Sequence, residues 1–190
     1  MSKVEPTNGT TFTTLVSMTR MQWPRLFDGF RPASFVLGCL VTLCVVWVAG
    51  IFRLARVNGD AMAPAFVAGD VVLVSTFAYR NAPPRRGDVA LLSYPLDPSK
   101  TMIDRVIALE GDTVRIFDGR VYINDRLLAD DTYVLAKYRD HLDWGPLVTP
   151  QGYCFVIGDH RNASSDSRQW GFVPRRYLQG KVVTRVWPRR

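Results

Sequence analysis

Residues 69–74 read Gly-Asp-Val-Val-Leu-Val, and residues 87–92 read Gly-Asp-Val-Ala-Leu-Leu. In both stretches a Gly-Asp pair, which is typical of a turn, precedes four apolar residues rich in valine and leucine. Short apolar runs that follow turn residues are typical of β-strands. The two stretches therefore predict two strands, separated by a loop at Asn81-Ala82-Pro83-Pro84.

Further strand patterns follow along the chain. They are Met102–Leu109, Thr113–Ile116, Arg120–Ile123, Tyr153–Ile157 and Lys181–Val186. Asp118-Gly119 stands between two of these runs and predicts a hairpin turn. Residues 130–149 are polar and aromatic, and we expect a loop with one short strand there. Many short strands with little helix predict an all-β domain over residues 57–188.

A long apolar segment precedes this domain. Residues 33–52 contain no charged side chain, and 20 helical residues match a hydrocarbon core of about 30 Å. A helix satisfies all of its backbone hydrogen bonds internally, as a membrane requires. We therefore predict an N-terminal tail over residues 1–32 and one transmembrane helix over residues 33–52. The segment starts too late, and is too long, for a cleaved signal peptide.

The net charge of +7 is spread along the chain, without an arginine-rich arm or a nucleic-acid-binding motif. We therefore expect no nucleic-acid partner, and anionic lipid headgroups suit this charge better. No Cys/His spacing predicts a metal site, and we expect no cofactor. Cys154 lies in an apolar run, where a buried small residue is the default.

Four stretches, in one order, resemble the sequence boxes of the type I signal peptidases, membrane-bound serine proteases that remove leader peptides from exported proteins. They are Gly59–Pro64, Arg86–Val89, Asp104–Asp112 and Gly158–Arg168, and Trp170–Pro174 with Gly180-Lys181 continues the family's order. A single match of this kind has little specificity, whereas four in order are specific. The resemblance covers about residues 57–188 and implies an antiparallel β domain of the signal-peptidase kind.

In that family a serine hydroxyl attacks the peptide bond and a neutral lysine accepts its proton. By resemblance the two positions fall on Ala61 and Asp104. A methyl group has no electron pair with which to attack a carbonyl carbon. An aspartate with an ordinary pKa of about 3.9 is an anion at neutral pH, and it has no hydroxyl at position 61 to deprotonate. The resemblance therefore implies that the catalytic dyad is absent.

Other positions match the family. By resemblance Asp60 belongs to the substrate groove, and Met62 and Pro64 shape that groove beside position 61. By resemblance too, Ser164 braces the base position, and Asp166 and Arg168 form an ion pair that holds the loop. His160 replaces an asparagine, and a structural role is expected for it. A carboxylate at the base position needs a partner, since that position is apolar in the family. We predict that Asp104 accepts a hydrogen bond from Ser164.

Three interpretations remain open, and the first is preferred. In the first, the protein is an inactive member of the export pathway that binds leader peptides by strand addition, or binds an active signal peptidase. In the second, it is an active signal peptidase I whose serine and lysine have been replaced by Ala61 and Asp104. In the third, Asp60 and Asp104 activate a water molecule, as paired carboxylates do in aspartic proteases.

The expected location is the bacterial plasma membrane, with the mitochondrial inner membrane as the second candidate. Arginines at positions 20, 25 and 31 precede the apolar segment, and those at positions 53 and 56 follow it closely. This distribution leans towards an N-terminus inside the cell. The lipid bilayer is therefore an expected partner, and the β domain is expected on the far side from the cytoplasm.

Overall fold

The computed structural model describes residues 32–128 and 134–187. The chain divides into two units, residues 1–41 and 42–190, and the first unit is described from Pro32 onward, where it is helical. Helix α1 (Pro32–Ile51) has 20 residues. Nearly all of its described side chains are exposed, including Trp47, of which 70% is accessible to solvent.

The helix predicted over residues 33–52 is confirmed, but it ends at Ile51, and Phe52 begins a strand. Its predicted membrane crossing is not confirmed. Within the two described ranges, no helix combines the length and the apolar character that crossing a membrane requires. The predicted tail, residues 1–32, lies outside the described residues except for its last residue.

The larger sheet has seven antiparallel strands in the order β1-β2-β11-β3-β4-β9-β10. These strands are β1 (Phe52–Arg56), β2 (Val71–Ser75), β3 (Val89–Tyr94), β4 (Asp97–Leu109), β9 (Tyr153–Ile157), β10 (Val173–Pro174) and β11 (Leu178–Trp187). Strand β1 stands at one edge of the sheet, where only β2 pairs with it. Strand β4 pairs with β3 over most of its length, whereas its pairing with β9 begins only at Arg105.

The smaller sheet has four antiparallel strands in the order β7-β6-β5-β8. They are β5 (Thr113–Phe117), β6 (Arg120–Ile123), β7 (Arg126–Leu127) and β8 (Trp144–Val148). Two short helices, α2 (Ala78–Asn81) and α3 (Ser167–Trp170), and three 3-10 turns, Ala136–Tyr138, Arg161–Ala163 and Arg175–Tyr177, complete the described elements.

Two apolar clusters explain how the strands position the rest of the domain. The first joins the two sheets, because Phe155 of β9 packs with side chains of β5 and β6, and its ring lies 4.5 Å from that of Trp144. The second lies under the larger sheet and includes Met62, Leu91 and Ile103, which are 8% exposed or less. Burial of Met62 anchors the chain between β1 and β2 to the sheet.

All of the predicted strands are confirmed, and so is the antiparallel β class. The hairpin turn is also confirmed, since Asp118 and Gly119 have φ values of 48° and 68°, the left-handed conformation that such a turn requires. The β domain begins earlier than predicted, because β1 precedes Val57. Within the predicted loop, residues 130–133 lie outside the described residues, and β8 is its short strand.

Candidate functional site

Ala61 lies in a turn that two backbone hydrogen bonds close. The N–H of Ala63 donates to the carbonyl oxygen of Asp60 at 2.9 Å, and the N–H of Phe66 donates to that of Met62 at 2.9 Å. Met62 is 1% exposed and packs under the sheet. The two backbone hydrogen bonds and the buried side chain of Met62 therefore fix the turn. Ala61 is half-buried at the surface of this turn.

A small groove of about 80 Å³ opens beside this turn. It is lined by Arg56, Val57, Asn58, Gly59, Ala61, Met62, Leu91, Thr101, Met102 and Ile103. One wall follows the end of β1 and the other is the segment of β4 before Arg105. The floor is apolar, because Met62, Leu91 and Ile103 belong to one buried cluster. The groove thus combines an apolar floor with two extended walls.

The loop after β9 packs directly against Ala61. The N–H of His160 donates to the carbonyl oxygen of Ala61 at 2.9 Å. A Cβ atom at Gly158 would lie 2.5 Å from that same oxygen and 2.6 Å from the Cβ of Ser164. Glycine is required at position 158 because no side chain fits this gap. Ala61 and Ser164 thus both approach Gly158 on the side where a side chain would stand.

Asp166 and Arg168 brace this loop as predicted. The carboxylate of Asp166 accepts hydrogen bonds from Nε of Arg168 at 2.8 Å and from Nη2 at 2.7 Å. It also accepts from the backbone N–H groups of Gly158 and Arg168, at 3.2 and 3.1 Å. Arg168 further donates to Asp140 and to the carbonyl oxygen of Arg161. The buried ion pair therefore ties three parts of the loop together.

A second buried ion pair joins the loop to the sheet. Nε of Arg105 donates to Asp159 at 2.8 Å, and its Nη1 donates to the carbonyl oxygen of Gly87 at 3.0 Å. Strand alternation places Arg105 on the face opposite to that of its neighbour Asp104. Asp159 is 54 positions further along the chain, and strand periodicity alone does not reveal a partner at that separation.

Asp104 occupies a different environment from these paired carboxylates. It pairs with Ala90 across β3 and β4, its side chain is completely buried, and neither carboxyl oxygen has a hydrogen-bond partner. Burial raises the pKa of Asp104 well above its ordinary value, nearby Asp166 and Asp159 raise it further, and Arg168 opposes them. Burial thus favours the uncharged acid.

The predicted hydrogen bond between Asp104 and Ser164 is wrong. Ser164 is 6% exposed, and its Oγ has no hydrogen-bond partner, like both oxygens of Asp104. Ser167, three residues later, accepts a hydrogen bond from the N–H of Val156 at 3.1 Å. Of the two buried serines here, Ser167 therefore braces the loop and Ser164 does not.

Two other predicted residues lie outside the groove lining. Pro64 is exposed. Asp60 is also exposed, and its carboxylate accepts a hydrogen bond from the N–H of Ala68 at 2.9 Å. Sequence reasoning missed Arg56, Thr101 and the other wall residues. Arg56 and Thr101 stand just before the matched stretches that begin at Gly59 and Asp104, and this closeness was the available signal.

Reactive side chains are scarce at this site. Cys154 is buried, and burial raises the pKa of its thiol to about 12, so that the thiol stays protonated. Among the described residues, no group of three or more His, Cys, Asp or Glu side chains is arranged to hold a metal ion. Ala61 offers only a methyl group to the groove.

Comparison with known proteins relates the sequence of this chain to one family. Residues 31–187 match the family model described as "Signal peptidase, peptidase S26". A "Probable signal peptidase I-2" of Synechocystis sp. is 36% identical over 162 residues, which cover 80% of this chain and 72% of that protein. A "Signal peptidase I" of Leptolyngbya laminosa is 36% identical over 171 residues, covering 86% and 80%. A crystal structure of a signal peptidase I from Enterococcus faecalis is 32% identical with a TM-score of 0.47, and covers 54% of this chain and 98% of that one.

Proposed function

The chain belongs to the signal peptidase family, peptidase S26, and we propose that it binds the signal peptides of exported proteins without cleaving them. In this proposal Ala61 and Asp104 occupy the positions at which the resembled proteases hold serine and lysine. The observation that carries the proposal is the place of Ala61, whose methyl group lines the groove where an attacking hydroxyl would be needed.

The walls of the groove favour an extended ligand. Residues Thr101 to Asp104 of β4 pair with β3, and their other side lies beyond the part of β4 that pairs with β9. A peptide strand added along this open side would form main-chain hydrogen bonds, while the apolar floor receives alternate side chains. A groove volume of about 80 Å³ fits a small side chain such as alanine.

Cleavage requires both an activated nucleophile and its base. Thr101 is the one hydroxyl residue among the described lining residues, but Asp104 forms no hydrogen bond to it or to any other group. A neutral carboxylic acid, which burial favours at Asp104, is not a general base. The site therefore lacks a group that removes a proton from a hydroxyl in the groove.

The contacts do not favour the two catalytic alternatives. A carboxylate pair needs Asp60 and Asp104 to share a proton or a water molecule. The carboxylate of Asp60 is engaged with Ala68 on the exposed side of the turn, whereas the oxygens of Asp104 are buried without partners. The interpretation as an active enzyme with two replaced residues makes the same prediction for this chain, namely that it does not cleave.

The proposal also places the protein at a membrane. Helix α1 exposes a continuous apolar surface, with Leu37, Leu43 and Trp47 more than 60% accessible, and no charged residue interrupts it. Such a surface is stabilised by burial in lipid. Flotation of the full chain with liposomes tests this point, since a chain that stays at the bottom of the gradient contradicts it.

A binding assay and a cleavage assay, run on the same full-length protein in detergent, test the proposed function. A fluorescent leader peptide ending in Ala-x-Ala should bind to the parent protein without yielding product. Ala61→Trp should abolish binding because it fills the groove, and Ala136→Trp, at an exposed 3-10 turn, is the matched control. Equal binding by both tryptophan variants would place the peptide elsewhere.

The cleavage assay then compares the parent with three variants. Ala61→Ser together with Asp104→Lys should recover cleavage, whereas either single change should not, because nucleophile and base act as a unit. Cleavage by the parent that persists after removal of contaminating protease would refute the inactive assignment. Failure of the double variant, with binding retained, would show that more than the dyad separates this protein from an active peptidase.

A further inference from the structure

Among the described residues that line the groove, one carries a charge, and it is Arg56. The others are aliphatic, small or neutral polar residues. Arg56 therefore places the nearest positive charge beside the apolar floor, and no other lining residue carries a charge that opposes it.

Arg56 is not neutralised by a neighbour. It ends the edge strand β1 and pairs through its backbone with Val71, and its side chain is exposed. No hydrogen bond or ion pair joins this side chain to another described residue. Two nearby arginines differ in this respect, because Arg53 donates to Gln179 at 3.0 Å and Arg185 lies 3.1 Å from Asp70.

Three acidic side chains stand close in sequence to the groove, and the nearest, Asp104, is completely buried, where burial favours its uncharged acid. Asp60 accepts its hydrogen bond from Ala68. Asp97, near the β4 wall, lies 3.0 Å from Lys100. The guanidinium of Arg56 thus remains available to a ligand, and guanidinium groups bind carboxylates in a planar, two-point geometry.

We propose that Arg56 gives the groove a preference for peptides that carry an acidic residue beside the small side chain seated against Ala61 and Met62. This inference rests on the proposed function, and it names the class of peptide that the same groove selects. The acidic residue lies at the rim of the groove, where Arg56 is exposed, and the small residue lies on the apolar floor. The contact is partly screened by water, so its effect is one of selection more than of overall affinity.

The test uses matched pairs of fluorescent leader peptides that differ by Glu against Gln at one position, moved in turn along the residues flanking the small side chain. Full-length parent protein in detergent at low salt should bind the Glu peptide about fivefold more tightly at one position, as an exposed ion pair predicts. Arg56→Gln should remove this preference. Arg56→Glu should bind a peptide with Lys at that position more tightly than the Gln peptide. In 0.5 M salt the parent should lose most of it.

Arg53→Gln is the matched control, since Arg53 is an exposed arginine on the same strand and an odd number of residues away, on the opposite face. It should leave the Glu preference unchanged. Equal binding of the Glu and Gln peptides at every position, with neutral peptides still bound, overturns this inference and leaves the proposed function intact. Loss of the preference in Arg53→Gln as in Arg56→Gln also overturns it. Absence of binding by any peptide overturns both.

Discussion

Asp166 and Asp104 are both completely buried, yet their surroundings are opposite. Four N–H groups donate to the carboxylate of Asp166, two from the guanidinium of Arg168 and two from the backbone. No group donates to Asp104. A buried negative charge is stable only when donors replace the lost water. Asp166 has such donors, and Asp104 does not.

The difference separates the frame of the site from its chemical centre. The frame, made by Asp166 with Arg168 and by Asp159 with Arg105, has its hydrogen bonds in place. The centre, made by Ala61, Asp104 and Ser164, has a methyl group and two buried polar groups without partners. The hydrogen bonds of the frame thus hold the loop beside the groove, whereas the side chains of the centre form none.

The largest effect is expected where the frame is broken. Arg168→Gln removes the guanidinium and leaves the carboxylate of Asp166 buried without its charged partner, which should lower the free energy of unfolding by about 3–5 kcal/mol. Arg86→Gln is the control, since Arg86 pairs with Asp112 but is 40% exposed, and it should cost less than about 1 kcal/mol. Urea denaturation measures both, and equal losses would mean that burial of the pair does not matter.

The next effect is the contribution of Asp104 to the pH dependence of the free energy of unfolding. Its pKa is raised in the folded protein, and the unfolded chain has an ordinary value of about 3.9. The folded state then holds the proton above that pH while the unfolded state loses it. The stability due to Asp104 is complete below about pH 4 and is lost as pH rises towards the folded pKa, by up to about 1.4 kcal/mol for each pH unit.

Asp104→Asn should remove this dependence, because the amide does not titrate. Its free energy of unfolding should exceed that of the parent by an amount that grows as pH rises from 5 to 8, measured by urea denaturation at each pH. Other groups titrate alike in both proteins, so the difference isolates Asp104. A difference that shrinks as pH rises would show that the folded protein binds the anion instead.

The sequence predicted the strands well because each depends on a local pattern. Residues 69–74 and 87–92 carry turn residues followed by an apolar run, and both became strands of one sheet. Strand β1 was missed because Phe52-Arg53-Leu54 directly continues an apolar helix, and no turn residue marks the change. Its pairing with β2, some 20 residues later, decides that boundary.

The site was predicted less completely, for a related reason. The resemblance located the Asp166–Arg168 pair, whose members are two residues apart. The partner of Arg105 and the lack of a partner for Ser164 depend on how the loop after β9 folds back onto the turn at Ala61. Contacts over such separations follow from packing, and neither periodicity nor motif spacing contains that information.

A smaller effect distinguishes the two buried serines, Ser164 and Ser167. Ser167→Ala removes the oxygen that accepts the buried N–H of Val156, and an unpaired buried donor should cost about 1–2 kcal/mol. Ser164→Ala should not lower the free energy of unfolding, because its buried hydroxyl has no hydrogen bond to lose. Thermal denaturation of the two variants side by side measures this. A larger loss for Ser164→Ala would reverse the assignment of the brace.

The smallest expected effect is the coupling free energy between the side chains of Asp104 and Ser164. If the two side chains shared a hydrogen bond, removing both would cost less than the sum of the single changes, by about 1 kcal/mol or more. Since neither has a partner, the effects of Asp104→Asn and Ser164→Ala should add to within about 0.5 kcal/mol. The double-mutant cycle is measured at pH 5, where the raised pKa of Asp104 favours its protonated form. A coupling well above that limit would mean that the two groups meet in solution, and that the centre of the site is braced after all.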